Sequence, residues 1–542
     1  MEGLMMDYPL TTTAILEYGS NTFNHKKVIS YLPDGTRHEY SFGDLYKRCQ
    51  KLANALTKKL GITKGDMVGT FAWNHYQHVE LYYGIPGIGA VCHTLNIRLS
   101  PQQIEFIVNH SEDKVIFVDA SLVTLLEKIA PKFETVECYI IINAPAGFST
   151  TLPNIMHYED LLADQSEEFI WPVLDENDAC GMCYTSGTTG LPKGVLYSHR
   201  STYLHAAAIM SPNAGNLGLH DIMLLIVPQF HVMAWGAPYL CLLSGTDMVL
   251  PSLHLQPDAI VRIMGAEKVT KANGVPTIWL GVYEEMKKNP PKEKLALKEY
   301  LVGGSALPVS LIEAFEKDFG ITGIHAWGMT ETSPLGTVSK LQPMHARLSE
   351  KEKLKIRGKQ GIVFPGIEIR VVTEDGNIAP RDGKTMGELQ IKGVWVIRSY
   401  FKTNNHENFT ADGWFKTGDV STIDQDGYME ITDRTKDLIK SGGEWISSVA
   451  LELALMSHPA IKEAAVIAIP DHKWVERPLA ALVLADGSKK VTEEELIEFL
   501  AFDFVKYQIP DDYVYIDQVP KTSVGKFDKK ELRRLYAEGK LT

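Results

Sequence analysis

The stretch Tyr184–Gly194, Tyr-Thr-Ser-Gly-Thr-Thr-Gly-Leu-Pro-Lys-Gly, has the composition of a phosphate cradle. Its three glycines let the backbone turn sharply and bring N–H groups close to a ligand. Thr185, Ser186, Thr188 and Thr189 add hydroxyls, and Lys193 adds a positive charge. Gathered in one concavity, these donors suit a polyphosphate. The stretch is not a Walker A loop, which needs Gly-x-x-x-x-Gly-Lys-[Ser/Thr]. Counted from Gly187, Pro192 stands where the second glycine belongs, and Gly194 follows the lysine. A solvated turn of chance composition is the simpler alternative, but an ordinary loop has no need of so many phosphate-compatible donors. Just upstream, Cys180 and Cys183 form a Cys-x-x-Cys with no second pair. They lie in an apolar run expected as a strand, where residues three apart face opposite sides. Buried structural thiols are therefore expected there, not a metal or redox site.

The chain that must hold this loop has 542 residues, too many for one core, so two or more domains are expected. It is 45% hydrophobic and 22% charged, the balance of an ordinary globular protein. Against 54 Lys and Arg stand 67 Asp and Glu, a net charge of −13. That argues against a general nucleic-acid binder, because phosphate backbones are held by basic surfaces. The N-terminus has no basic region followed by an apolar core. The apolar run Leu81–Leu95 is broken by Gly84, Pro86, Gly87 and Gly89, so no spanning segment and no membrane anchor is expected. The final Gly-Lys-Leu-Thr is not the Ser-Lys-Leu peroxisomal address. Six cysteines in so long a chain point to a reducing compartment, and a cytoplasmic protein is expected.

Residues 1–175 alternate helical and strand patterns. Ser41 opens a helix through Leu60 with apolar residues at Leu45, Leu52, Ala53 and Leu56. Asp66–Ala72 reads as a strand, His75–Gly87 as a helix, and Ser100-Pro-Gln-Gln as a capped helix start. Val115–Val118 and Cys138–Ile142 read as strands on either side of a helix near Ser121–Ile129. This alternation predicts a layered α/β architecture with a largely parallel sheet. Asp426-Gly427-Tyr428 reads as a hairpin turn. Further on, Ala464–Ile469, Leu479–Ala485 and Val514–Ile516 read as strands, and Thr492 with Glu495 forms a capping box, so a compact α+β unit is expected over 434–542.

Tyr184–Gly194 resembles the phosphate-binding signature of the adenylate-forming superfamily, which includes acyl-CoA synthetases, peptide-synthetase adenylation domains and luciferases. Asn96-Ile-Arg-Leu-Ser100 resembles an early segment of that superfamily, and further motifs follow in the family's order. Pro228-Gln-Phe-His231 resembles its Pro-x-Phe-His element, where the histidine orients the carboxylate. Val232 and Trp235 would then border the acyl pocket, with Trp235 as its gate; the simpler reading of His231 and Trp235 is core packing. His231 has no partners at zinc-ligand spacing. Gly303-Gly304-Ser305-Ala306 resembles the adenine-binding loop. Trp327-Gly328-Met329-Thr330-Glu331 resembles Tyr-Gly-x-Thr-Glu, with Trp327 in place of the tyrosine that stacks on adenine. The resemblance implies Thr330 at the α-phosphate and Mg²⁺ on Glu331 and Thr185. It also implies phosphate contacts from Thr185, Ser186, Gly187, Thr188, Thr189, Gly190 and Lys193. Members specific for acetate carry tryptophan at the position of Gly328; the glycine implies an open pocket floor and a longer acid.

Trp414–Asp419 resembles the element whose aspartate binds both ribose hydroxyls, and a carboxylate has two oxygens for a vicinal diol. Asp433-Arg434-Thr-Lys-Asp437 resembles the interdomain hinge, turning at Asp433, with Arg434 on ribose or phosphate. Lys440-Ser-Gly442-Gly443-Glu444-Trp445 resembles the loop that lines the CoA passage, Lys440 serving the nucleotide; Trp445 stands where asparagine is usual, as in some fatty acyl-CoA synthetases. Thr522-Ser-Val-Gly525-Lys526 resembles the C-terminal loop whose lysine catalyses adenylation.

The resemblance spans about residues 10–535. It implies a large multi-layer α/β N-terminal domain (1–432) with parallel-rich sheets flanked by helices and a small β-barrel part. A hinge (433–437) and a small mobile α+β C-terminal domain (438–542) would follow. The implied activity is that of a medium- to long-chain fatty acid–CoA ligase: carboxylate and ATP give acyl-adenylate and pyrophosphate, then CoA gives the thioester and AMP. ATP, Mg²⁺ and CoA are implied, with peripheral lipid contact and a homodimer left open. An aryl, branched or sulfur-containing acid is the alternative substrate. A peptide-synthetase domain is disfavoured, because no carrier segment follows Lys526. A non-catalytic nucleotide-binding regulator is disfavoured by the presence together of Lys526, Glu331 and Asp419.

Overall fold

Short-range chemistry starts the helices. Ser41, Ser100 and Thr492 each accept from the third backbone N–H and receive the side chain at that position in return, beginning helices Phe42–Lys58, Pro101–Ser111 and Glu493–Leu500. The computed structural model describes the chain apart from residues 2, 186–190, 404–405, 442–443, 486, 523–524 and 542. Ser186, Gly187, Thr188, Thr189, Gly190, Gly442 and Gly443 thus lie outside the described residues, as does the side chain of Glu444.

Two large sheets form the N-terminal part. A seven-stranded sheet runs, in spatial order, Ile155–His157, Cys138–Ile142, Asp113–Asp119, Met67–Phe71, Val91–Thr94, Ala179–Thr185 and Lys193–Ser198. Every neighbouring pair is parallel except the last. A nine-stranded sheet has a parallel centre of Lys27–Tyr31, Asp247–Leu250, Ile222–Leu225, Lys271–Gly274, Glu299–Val302 and Thr322–Gly328. Helices such as Tyr76–Gly87 and Ala237–Ser244, with every residue buried, fill the space between layers. The part expected as a small β-barrel is a four-stranded antiparallel sheet, Ile367–Val372, Gly387–Gly393, Phe415–Ile423 and Met429–Arg434.

After Arg434 the chain enters a separate five-stranded sheet whose centre is the long hairpin Ile461–Asp471 and Val475–Leu484. Helices Ser448–Met456, Glu493–Leu500 and Lys529–Ala537 cover it over two apolar cores of its own. All six cysteines are buried and unpaired. Burial pushes the Cys180 thiol up to about 12, which leaves no reactive thiolate. Among the described residues, no helix is long and apolar enough to cross a membrane.

Candidate active site

Parallel strands deliver their following loops to one edge, and open α/β sheets bind ligands beyond that carboxyl edge. Here Gly274, Val302 and Gly328 end strands of one sheet, and the segments after them line one cleft of about 1540 Å³ together with Thr185, the end of a strand of the other sheet. Thr185 and Lys193 are cross-strand partners at the mouth of the glycine-rich hairpin. The Lys193 ammonium donates to Asn408 Oδ1 at 3.2 Å and stands 4.8 Å above the Tyr400 ring.

Glu331 is buried, and loss of water raises its carboxyl above the usual range. The Tyr400 hydroxyl donates to its Oε1 at 2.7 Å, and Tyr197 donates to the Thr330 carbonyl at 2.9 Å. Asp419 is also buried, 1% exposed. Trp327 Nε1–H donates to its Oδ2 at 2.9 Å, and Arg434 Nε lies 2.7 Å from Oδ1. The indole thus supplies a polar hold on the carboxylate expected to meet ribose. Trp327→Phe keeps the ring and removes that N–H. It is expected to raise KM for ATP about tenfold, the worth of one hydrogen bond to a charged group, with little change in KM for the acid. Titrating initial rates against each substrate checks this.

Lys526 enters the same cleft from the C-terminal part, lodged on a tight turn in which Thr522 N–H donates to the Lys526 carbonyl at 2.7 Å. Loss of water, then the neighbouring Arg434, lower its ammonium to about 8, while Asp419 and Glu331 pull the other way. His231 is held neutral, down to about 3, first by burial and then by Lys526 and Arg98. It can orient a carboxylate by hydrogen bonding, without adding charge.

Val232, Met233, Ala234 and Trp235 all have φ between 46 and 56° and so form a left-handed turn that ends on Gly236. Such a run costs on the order of 1 kcal/mol per residue, and no sequence signal announced it. It lays the Trp235 ring 3.2 Å from where Gly303 would carry a Cβ, the same distance as the Ala326 carbonyl oxygen, so a side chain at 303 would be tightly squeezed between the two. Gly304, Ser305, Ala306 and Met329 line the cleft nearby.

Gly328 has a reason beyond pocket shape. A Cβ there would lie 1.8 Å from the Pro334 carbonyl oxygen. Lys440 and Trp445 are not brought to the cleft: Lys440 stands 4.3 Å above the Trp445 ring and 3.4 Å from Glu374.

Sequence reasoning missed Tyr400 and the cluster around Asp433. Ser448 N–H and Oγ–H both donate to Asp433 Oδ2 at 2.6 Å, and Lys529 bridges Ser448 Oγ to Glu452. Burial raises Glu452 to about 6 and lifts Asp433 as well. Only the hinge resemblance singled out Asp433; its partners carry no motif.

A cleft that joins a glycine-rich hairpin, a buried carboxylate pair and a lysine from a second domain, on this fold, defines a class of adenylate-forming proteins. The AMP-binding enzyme model matches residues 17–401, and the AMP-binding enzyme C-terminal domain matches residues 450–526. The chain belongs to the AMP-binding enzyme family. It is 43% identical over 537 residues to a long-chain-fatty-acid–CoA ligase of Thermus thermophilus, covering 98% of this chain and 96% of the relative. It is 42% identical over 534 residues to a 3-methylmercaptopropionyl-CoA ligase of Ruegeria lacuscaerulensis, 98% of each being covered. A medium-chain-fatty-acid–CoA ligase of Ectopseudomonas oleovorans is 41% identical over 539 residues, with 99% and 98% covered. Among solved structures, an anthranilate CoA ligase in complex with anthranoyl-AMP superposes with a TM-score of 0.87 at 25% identity, covering 98% of this chain and 99% of that one.

Proposed function

We propose that the protein is an AMP-forming fatty acid–CoA ligase. The observation that carries this reading is the convergence of Glu331, Asp419 and Lys526 on a cleft whose lining also includes Trp235 and an apolar part made by Ile209, Leu217, Leu240, Leu301 and Ile324. The division into 1–432, a hinge at 433–437 and 438–542 belongs to the same reading. So does the nucleotide assignment: Thr185 to Lys193 at the phosphates, Gly304 to Ala306 and Trp327 at adenine, Asp419 and Arg434 at ribose.

A carboxylate is a poor nucleophile towards an anionic triphosphate, so the site must offset charge at the α-phosphate. Lys526 supplies a cation in a partly desolvated setting, where it acts more strongly than in water. Thr330 donates its hydroxyl to an α-phosphate oxygen, and His231 holds the attacking acid by hydrogen bonding. The residues fit a Mg²⁺ held mainly through phosphate oxygens: Glu331 is one buried hard carboxylate, Thr185 offers one hydroxyl, and the described residues contain no denser cluster of ligands. Bound there, Mg²⁺ would neutralise developing phosphate charge. Arg434 and Trp327 keep Asp419 aimed at the ribose.

With the adenylate made, the acyl carbonyl is open to the CoA thiol. The C-terminal part then turns at Asp433, withdrawing Lys526 and presenting the segment with Gly442, Gly443, Glu444 and Trp445. Lys526 inside the cleft and Lys440 outside it suit the first of these two arrangements.

The lowered lysine gives a pH signature. Lys526 is charged below about 8 and neutral above it, so kcat/KM for ATP in the adenylation step should fall as pH rises through about 8. Lys526→Arg should retain part of the rate and move the fall to higher pH. An unmoved profile in that variant would assign the fall to another group.

The function itself is tested by AMP release with ATP, Mg²⁺ and CoA across straight-chain acids from acetate to stearate, with aryl acids and 3-methylmercaptopropionate beside them. A CoA-dependent peak on straight chains is expected. A response confined to an aryl or sulfur-containing acid would keep the ligase and replace the substrate. No AMP from any acid would overturn the proposal.

A further inference from the structure

The apolar arm of the cleft ends on an ion pair. Its wall is one face of the nine-stranded sheet, and the register fixes which residues share that face. Met223, Lys271, Glu299 and Thr322 are aligned across four neighbouring strands. Side chains two residues apart on a strand point the same way. Asn273 therefore continues from Lys271, Leu301 and Gly303 from Glu299, and Ile324 and Ala326 from Thr322. Gly303 is the residue covered by Trp235, so the face begins at the expected gate and runs towards the opposite ends of the strands. Ile209, Leu217 and Leu240 close the arm from the other side. At its far end Lys271, 7% exposed, bonds through Nζ to Glu299 Oε2, and both residues line the cavity.

From Gly303 to Glu299 the wall is four residues long, about 13 Å at the rise of a strand. An extended hydrocarbon chain of about ten carbons spans that distance, given the length of a C–C bond. A chain that stops short of the pair meets apolar side chains and the uncharged amide of Asn273. A longer chain presses its methyl end against two charges, takes away their remaining water and returns no hydrogen bond.

Resting on the ligase reading, we infer that Lys271 and Glu299 form a polar end wall that sets the substrate class: straight-chain acids of up to about ten carbons, with longer acids excluded by the charged pair. The two residues touch no reacting atom; they determine specificity. A wall of this kind discriminates by desolvation as well as by length, so its effect should vanish when the charge is removed even if the volume is kept.

The test is kcat/KM for AMP formation on straight-chain acids from butanoate to palmitate, in the wild type and in a Lys271→Met, Glu299→Leu double variant, with KM for ATP measured alongside. The wild type should be most active at or below decanoate. The double variant should gain about tenfold or more on palmitate, the scale of discrimination a few methylenes provide, with butanoate and KM for ATP unchanged. A wild type that prefers palmitate to decanoate would overturn the inference, as would an unaltered profile in a folded double variant. If the double variant does not fold, Lys271→Gln with Glu299→Gln removes both charges and leaves two side chains that can still hydrogen-bond to each other; it should move the profile in the same direction, and an unmoved profile there would overturn the inference equally. Absence of AMP with every acid would sink the ligase reading instead. Calorimetric binding of octanoate and palmitate to the same proteins would then read the end wall separately, with tighter palmitate binding only in the uncharged variants as the supporting result and no difference as the overturning one.

Discussion

Lys526→Ala is expected to lower acid-dependent formation of acyl-adenylate by about 10²- to 10³-fold, the usual cost of removing a group that stabilises transition-state charge. It should leave thioester formation from supplied acyl-adenylate and CoA within about threefold of the wild type, because a group withdrawn from the second step contributes little to it. The split follows from placement. Lys526 sits at the end of a short turn closed by Thr522, beside Arg434, Asp419 and Glu331, and its role depends on that turn reaching the cleft. Rapid-quench measurement of each half-reaction separates the two rates. Equal loss in both would contradict one site serving two arrangements of the C-terminal part.

Gly328→Ala is expected to destabilise the N-terminal part by about 3 kcal/mol, towards the upper end for overpacking, because the new methyl has only backbone to push against. Its nearest neighbours would be the Pro334 carbonyl oxygen at 1.8 Å and Leu335 Cα at 3.0 Å. The same carbonyl accepts from Met329 N–H at 2.9 Å, so relief must move the segment that carries Thr330 and Glu331. Urea unfolding followed by tryptophan fluorescence should show the lower midpoint, and kcat should fall with it. A variant of normal stability with only an altered acyl preference would leave Gly328 a pocket-floor residue and nothing more. The resemblance to acetate-specific members made the pocket the natural reading of this glycine; the turn at Pro334 supplies a second and more local constraint.

Helix starts were legible because capping is chemistry between residues three apart, as at Ser41, Ser100 and Thr492. Cys138–Ile142 was legible to the residue, being a short apolar run between polar ends. Elsewhere the local signal gave the element and missed its bounds. The helix expected near Ser121–Ile129 is a 3₁₀ turn at Ala120–Leu122 leading into the α-helix Val123–Glu127. The strands expected at Ala464–Ile469 and Leu479–Ala485 stop where Pro470 and Pro478 stand, yet the hairpin runs through both, pairing Pro470 with Glu476 and Pro478 with Ala468. Proline lacks a donor, which matters less near the turn of a hairpin, where both prolines stand, than deep inside a central ladder.

The cleft was legible as a set of motifs, but what tunes it was not. Trp327 and Asp419 are 92 residues apart, and Tyr400 lies 69 from Glu331, so their contacts depend on the folded arrangement of sheets. The Ser448, Lys529 and Glu452 grip on Asp433 has the same origin. The left-handed turn at Val232–Trp235 opposes local propensity outright, and it sets the Trp235 ring against Gly303.

The most direct test of the account is acid-dependent exchange of labelled pyrophosphate into ATP with CoA left out. Adenylation before thiolysis predicts exchange that needs a fatty acid and Mg²⁺, does not need CoA, and disappears in Lys526→Ala. Exchange that appears only when CoA is present, or release of phosphate and ADP in place of pyrophosphate and AMP, would contradict it.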